Sequence, residues 1–277
     1  MMRPAARTFI NPVDSVPYCH QLGLNDAILE WSQIPGCEES GHLEPAAIAE
    51  SLEILEEGGI SCSVFVGETI PVVDHPNPAD NEALQRAIKS VRAMGEAGVP
   101  TLLQYMLEAV DENADREAIW PSFVANYGKF IEAAAEAGVN VAMHAYHKPF
   151  GLVDGNDFLQ RCFTEIPDLH NGICYDPGIS VLNGDDPLAG LEMYPERIHM
   201  VHIRDVTGDW TTVEDMREDA FSLEVFPGKG IAKCAETMQR LAGMGYEGVV
   251  QPEHLGLPSE AELLPAAFQW VRDRIPD

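Results

Sequence analysis

Two histidines and two carboxylates each close a short β-rich run: His144 in VAMHAYH, Asp176 in ICYDPG, His202 in MVHIRD and Glu253 in VVQPEH. Imidazole nitrogens and carboxylate oxygens are the donors of a mixed metal shell, so four of them converging on one point would hold one divalent cation. With no thiolate in the set, Mn²⁺ suits it best, and Co²⁺, Zn²⁺ or Mg²⁺ are the other choices. A single histidine or aspartate at a strand end is commonly a cap or a core hydrogen-bonding group. The joint occurrence carries the inference, because buried charges need a partner and a metal supplies one.

Further polar residues close the same kind of run: Asn11, Glu68, Gln104 with Tyr105, His147, Arg204 and His254. Arg204 lies two residues past His202, so strand alternation aims it to the same face, where it would hold an anionic or polyol oxygen. His147 and His254 neighbour proposed ligands and titrate near neutrality, which makes them candidate acid and base. Glu68 is a further candidate for proton transfer, and Tyr105 for substrate contact.

These residues need elements that bring them together. Four segments, EEGGISCSVFVGE, GEAGVPTLLQY, AEAGVNVAMHAYH and GMGYEGVVQPEH, share one order: a helical pattern ends in glycine, then a β-rich run leads to a polar residue. Glycine suits a helix C-cap, and Val, Ile and Phe suit a buried strand. Extending this alternation predicts eight strands, near 7–11, 27–31, 62–66, 101–105, 140–144, 172–176, 198–203 and 248–252. The first unit is short on helix between Asn11 and Asp26. Apolar strands alternating with helices imply a parallel sheet covered on both faces, and eight such units predict a closed (β/α)8 TIM barrel of the α/β class, with a doubly wound open sheet as the other solution. The 277 residues suit one such domain spanning 1–277. In that fold the active site lies at the C-terminal ends of the strands, where the polar residues fall. The Gly-rich stretch FPGKGI at 226–231 lacks the spacing of a phosphate loop and reads as a turn into a helix.

The formal charge of −28 would repel nucleic acid and anionic membrane surfaces, so neither is an expected partner. No apolar run is long enough to span a bilayer, and MMRPAARTFI lacks the apolar run of a signal peptide, which predicts a cytoplasmic protein. The six scattered cysteines suggest neither a disulfide framework nor a zinc knuckle.

Motifs along the chain resemble the xylose-isomerase-like barrel superfamily, and within it mannonate dehydratase. The likeness rests on QIPG at 33–36, CSVFVGETIPV at 62–72, HAYHKP at 144–149, NGICYDPG at 171–178, RIHMVHIRDV at 197–206 and GYEGVVQPEH at 245–254. It implies that His144, Asp176, His202 and Glu253 are the metal ligands, the set already reached from the strand ends. Mannonate dehydratases usually carry cysteine and aspartate where Asp176 and Glu253 stand here, which are the choices of sugar isomerases and epimerases. Those dehydratases also carry an arginine beside an aromatic in the first strand, where this sequence reads TFINP with Ile10. The resemblance further implies a homo-oligomer. The expected activity is a hydro-lyase acting on a small polyhydroxylated substrate, a sugar acid in the first instance. The alternatives are a metal-dependent sugar isomerase or epimerase and a non-catalytic metal-containing barrel.

Overall fold

The computed structural model describes residues 1–71, 75–105, 113–145, 152–208, 223–253, 255 and 260–276. Its main sheet is built from β1 (Arg3–Pro4), β2 (Ala6–Thr8), β3 (Asp26–Glu30), β4 (Ser61–Val66), β5 (Thr101–Tyr105), β6 (Asn140–His144), β7 (Asn171–Tyr175), β8 (Ile198–Ile203) and β11 (Val249–Pro252). Between β8 and β11 come the short strands β9 (Asp205–Val206) and β10 (Glu224–Val225), which pair antiparallel beside the main sheet. The main sheet runs β1-β11-β8-β7-β6-β5-β4-β3-β2, with every pairing parallel. Only Ala5 separates β1 from β2, so the two are halves of one stave and the ring closes through it. Its first half pairs with β11 and its second with β3.

The outer layer comprises α1 (Pro12–Gln21), α2 (Cys37–Ser40), α3 (Pro45–Glu57), α4 (Glu82–Glu96), α5 (Arg116–Ala137), α6 (Asn156–Glu165), α7 (Pro177–Leu182), α8 (Ala189–Met193), α9 (Cys234–Gly243) and α10 (Glu260–Arg272). Their packing follows helical periodicity. In α4, Leu84, Ala87, Ile88, Val91 and Met94 are buried, and Asn81 caps the helix by accepting from Leu84 N at 3.1 Å. In α5, Trp120, Phe123, Tyr127 and Phe130 form one buried aromatic face, each burial worth about 1.5–3 kcal/mol.

The expected strands lie where the alternation placed them, within a few residues, with one correction. The first strand spans 3–8 rather than 7–11, because Asn11 caps a helix that Pro12 begins: its side chain accepts from Asp14 N at 3.0 Å. Asn11 is therefore an exposed helix cap and not a residue of the barrel mouth, and α1 supplies the helix that the first unit lacked in the sequence pattern.

Alternation divides each strand between two cores. Phe65, Leu102, Val141, Ile173, Val201 and Val250 face the helices. Ala5, Ile28, Val64, Val66, Leu103, Ala142, Cys174, Met200 and Val249 fill the barrel interior. Two residues further along the same faces stand Arg7, Glu30, Tyr105, His144, Asp176, His202 and Gln251, and two further again Arg204 and Glu253. The apolar plug thus gives way, over one layer, to a polar one at the C-terminal end.

Candidate metal centre

His144 ends β6, Asp176 follows β7, His202 lies in β8 and Glu253 follows β11. One ligand atom from each lies within 4.8 Å of every other, and all four residues are buried. His202 Nδ1 is 2.9 Å from Glu253 Oε1, and His144 Nε2 is 3.4 Å from Asp176 Oδ2 and 3.8 Å from Glu253 Oε1. The two imidazole rings sit with centroids 4.9 Å apart. Both ring nitrogens of His202, Nε2 of His144 and Oδ2 of Asp176 are shut off from solvent yet make no hydrogen bond of ordinary geometry. Leaving such atoms unpaired costs about 1–3 kcal/mol each, and one cation would satisfy His144 Nε2, Asp176 Oδ2 and one nitrogen of His202 together, since an imidazole offers a single nitrogen to an ion.

Local structure reserves these atoms for one another. Asp176 is also the N-cap of α7, where its Oδ1 accepts from Ile179 N at 3.0 Å, which leaves Oδ2 for the cluster. Burial works against the Asp176 carboxylate, but Arg204 and His144 outweigh it and hold its pKa below the usual range. Burial, aided by His202, keeps the His144 imidazole below its ordinary pKa against the pull of Asp176 and Glu253. The cluster therefore holds an ionised carboxylate and a neutral imidazole, the protonation states in which both ligate metal.

Arg204 is brought to the cluster as alternation required. It is 7% exposed, donates from Nη2 to Glu253 Oε1 at 2.6 Å and places Nε 3.1 Å from Asp176 Oδ2. Its Nη1 is 3.8 Å from Glu224 Oε1, a buried carboxylate that β10 supplies and that the strand-end reading missed, since β10 lies outside the eight staves. Tyr105 is also at the site: its ring centroid is 5.1 Å from that of His144, and burial raises its phenol pKa.

The Tyr105 hydroxyl accepts from Nη1 of Arg7, whose Nε donates to Glu30. Arg7 lies over both Phe9 and Tyr105, 4.9 and 4.8 Å from their centroids. The first strand thus carries an interior arginine near an aromatic two residues away, three positions before Ile10. The signal was the period of two from Ala5 to Arg7, hidden while the strand was placed at 7–11.

Glu68 is not brought to the cluster. Alternation from Val66 would aim it inward, but β4 ends at Val66, so strand alternation no longer sets the side it faces. Glu68 then faces α4, with its Oε1 3.7 Å from Arg86 Nε, in a pocket it shares with Ala87, Ser90 and Phe130. Gln104 likewise lies on the helix side and donates to Glu68 O at 2.8 Å. His147 and His254 fall outside the described residues. The FPGKGI stretch is a turn into α9, as expected, and Asp205 holds it by accepting from the amides of Gly228, Gly230 and Ala232 at 2.8, 2.9 and 2.9 Å.

Residues 19–274 match the model of the xylose isomerase-like TIM barrel family. The chain belongs to that family. Among curated members of known sequence, this xylose isomerase-like barrel is 28% identical over 170 residues to inosose dehydratase of Geobacillus thermodenitrificans, covering 57% of this chain and 55% of that one. It is 24% identical over 154 residues to mannonate dehydratase of Thermotoga maritima, covering 52% and 41%. The chain spans about half the length of the curated relatives it matches. In three dimensions it resembles the IOLI protein with a binding zinc atom, at a TM-score of 0.73 and 16% identity over 99% of this chain and 96% of that one. Among the described residues, no helix is long and apolar enough to cross a membrane.

Proposed function

We propose that this xylose isomerase-like barrel is a divalent-metal-dependent hydro-lyase that removes water from a small polyhydroxylated acid or ketone. The observation that carries the reading is the buried cluster of His144, Asp176, His202 and Glu253, which brings one ligand atom from each within 4.8 Å of every other and leaves His144 Nε2, Asp176 Oδ2 and the His202 ring nitrogens without a hydrogen bond. Two of the named relatives, at 28% and 24% identity, are dehydratases of polyhydroxylated compounds, which favours loss of water over other barrel chemistries.

The four ligands would hold the cation, Mn²⁺ by preference for a shell of two imidazoles and two carboxylates. Such an ion supplies Lewis-acid polarisation of a bound oxygen. Arg204, already beside Asp176 and Glu253, would hold a carboxylate or hydroxyl oxygen of the substrate. The buried Tyr105 phenol stays protonated and donates to a second oxygen, with Arg7 fixing its position. In the reaction the C–H bond beside the carbonyl or carboxyl group breaks and its proton passes to a base. The C–O bond on the next carbon then breaks, a proton joins the departing hydroxyl so that it leaves as water, and the enol that remains tautomerises to the keto product. His147 and His254, three residues past His144 and one past Glu253, are the groups assigned to these proton transfers.

The test is metal content by mass spectrometry on wild type beside the Glu253→Gln, His202→Ala double variant, followed by a screen of sugar acids and keto-polyols with the ion found. About one equivalent in the wild type, little in the variant, and a product lighter by one water support the reading. Turnover with mass retained would mark an isomerase or epimerase instead. Near-zero metal in both proteins after reloading would leave a non-catalytic barrel.

A further inference from the structure

The stave shared by β1 and β2 is not sealed along its length. Its ladder to β11 ends with Ala5 N donating to Val250 O at 3.2 Å, after which β2 pairs only with β3. Where the strands part, a cleft of about 430 Å³ opens between β2 and β11. Arg7, Gln251 and Glu253 form its polar lining; Phe9, Tyr18, Leu264 and Phe268 are its larger apolar and aromatic members. Glu253 belongs to both this cleft and the metal cluster, so the two spaces share a wall.

Two features mark the cleft as built for a ligand. Gln251 is 6% exposed, and its Oε1 has no hydrogen-bond partner, an unmet acceptor in the interior layer beside Glu253. Phe9 is 70% exposed although it is an aromatic residue at the barrel mouth, and Arg7 is packed against one side of it. An acceptor without a donor beside an apolar wall suits a group with hydroxyls on its rim and C–H bonds on its face. Rings of polyols present such a face; open-chain polyols, whose hydroxyls alternate along a flexible chain, do not.

We infer that the cleft between β2 and β11 is a substrate subsite for the ring of a cyclic polyol, one hydroxyl donating to Gln251 and the C–H face lying against Phe9 and Leu264. The inference rests on the reading of the cluster as the reaction centre, since it places the ring beside Glu253. A cleft of this size is at the small end of ligand pockets, about 300–1,000 Å³, and accommodates one ring.

Calorimetric titration with myo-inositol and with D-mannitol, on metal-free and Mn²⁺-loaded protein, tests it. The ring polyol should bind about tenfold more tightly than the chain, and Gln251→Met should lower its affinity about tenfold by removing one hydrogen bond. Phe9→Ser, at an exposed position that leaves folding intact, should lower it several-fold. Neither change should alter Mn²⁺ uptake or binding of D-mannitol. Equal binding of the two polyols, binding of neither, or variants that weaken both alike would overturn the subsite. Failure of Mn²⁺ uptake would sink the metal centre alone, because the ring preference is read in the metal-free protein too.

Discussion

Arg204 Nη2 donates a 2.6 Å hydrogen bond to Glu253 Oε1, and the same guanidinium lies 3.1 Å from Asp176 Oδ2. One buried cation thus serves both carboxylates of the proposed metal shell. It lowers the cost of holding two like charges within a few ångströms of each other, so the site can be assembled before metal arrives.

Replacing Arg204 by methionine should therefore expose that repulsion. Without metal, Arg204→Met should lose about 3–5 kcal/mol, the usual cost of leaving a buried charge uncompensated. Added Mn²⁺ should then raise its melting temperature more than that of the wild type. Thermal unfolding with and without the ion checks this; an equal rise in both proteins would show that Arg204 does not balance the carboxylates.

Removing metal should destabilise only a protein that can bind it. At a free ion concentration about 100 times Kd, binding contributes about 2.7 kcal/mol to the folded state. A chelator should lower the melting temperature of Mn²⁺-loaded wild type and leave the Glu253→Gln, His202→Ala variant unchanged. A shift of the same size in that variant would place the ion elsewhere.

His199, at the opposite end of the barrel, predicts part of the acid sensitivity. Burial brings its pKa down to about 4, against the contact of its Nε2 with Leu169 O at 2.9 Å. The native ring is neutral, while the unfolded ring titrates near 6.5. The unfolded state thus binds more protons between these values, so stability falls as pH drops from about 6.5 to about 4 and is unaffected above. The loss attributable to this group is on the order of 1 to 2 kcal/mol, discounted for its partial exposure. Denaturant titrations across that range should show a shallower fall in His199→Gln; parallel curves would contradict the assignment.

Asp205 is expected to matter through backbone amides rather than chemistry. Its carboxylate takes the amides of Gly228, Gly230 and Ala232, and Gly230 packs so closely that an added Cβ would meet Val206 O at 2.1 Å. Asp205→Ala leaves these donors without their acceptor and should cost about 1–3 kcal/mol for the buried Ala232 amide, with less from the half-buried Gly230 and the exposed Gly228. Asp205→Asn, which keeps one acceptor oxygen, should cost less. Equal losses in chemical denaturation would mean that the amides find water instead.

Sequence alone determined the barrel and the convergence of His144, Asp176, His202 and Glu253 at its mouth, because both depend on short-range periodicities. Glycine-ended helices followed by apolar runs mark the staves, and a period of two from Ala142, Cys174 and Met200 carries each interior face to His144, Asp176 and His202. Residues whose positions depend on where a strand starts or stops were legible only in three dimensions. Pro12 and its Asn11 cap moved the first strand back and turned Arg7 inward, while the end of β4 at Val66 left Glu68 to face Arg86. Glu224 reaches Arg204 through a strand pair outside the staves, and Gln251 borders a cleft that exists because β2 parts from β11. Alternation is a property of the chain, whereas strand ends and the gaps between staves are set by competition among neighbours in the closed ring.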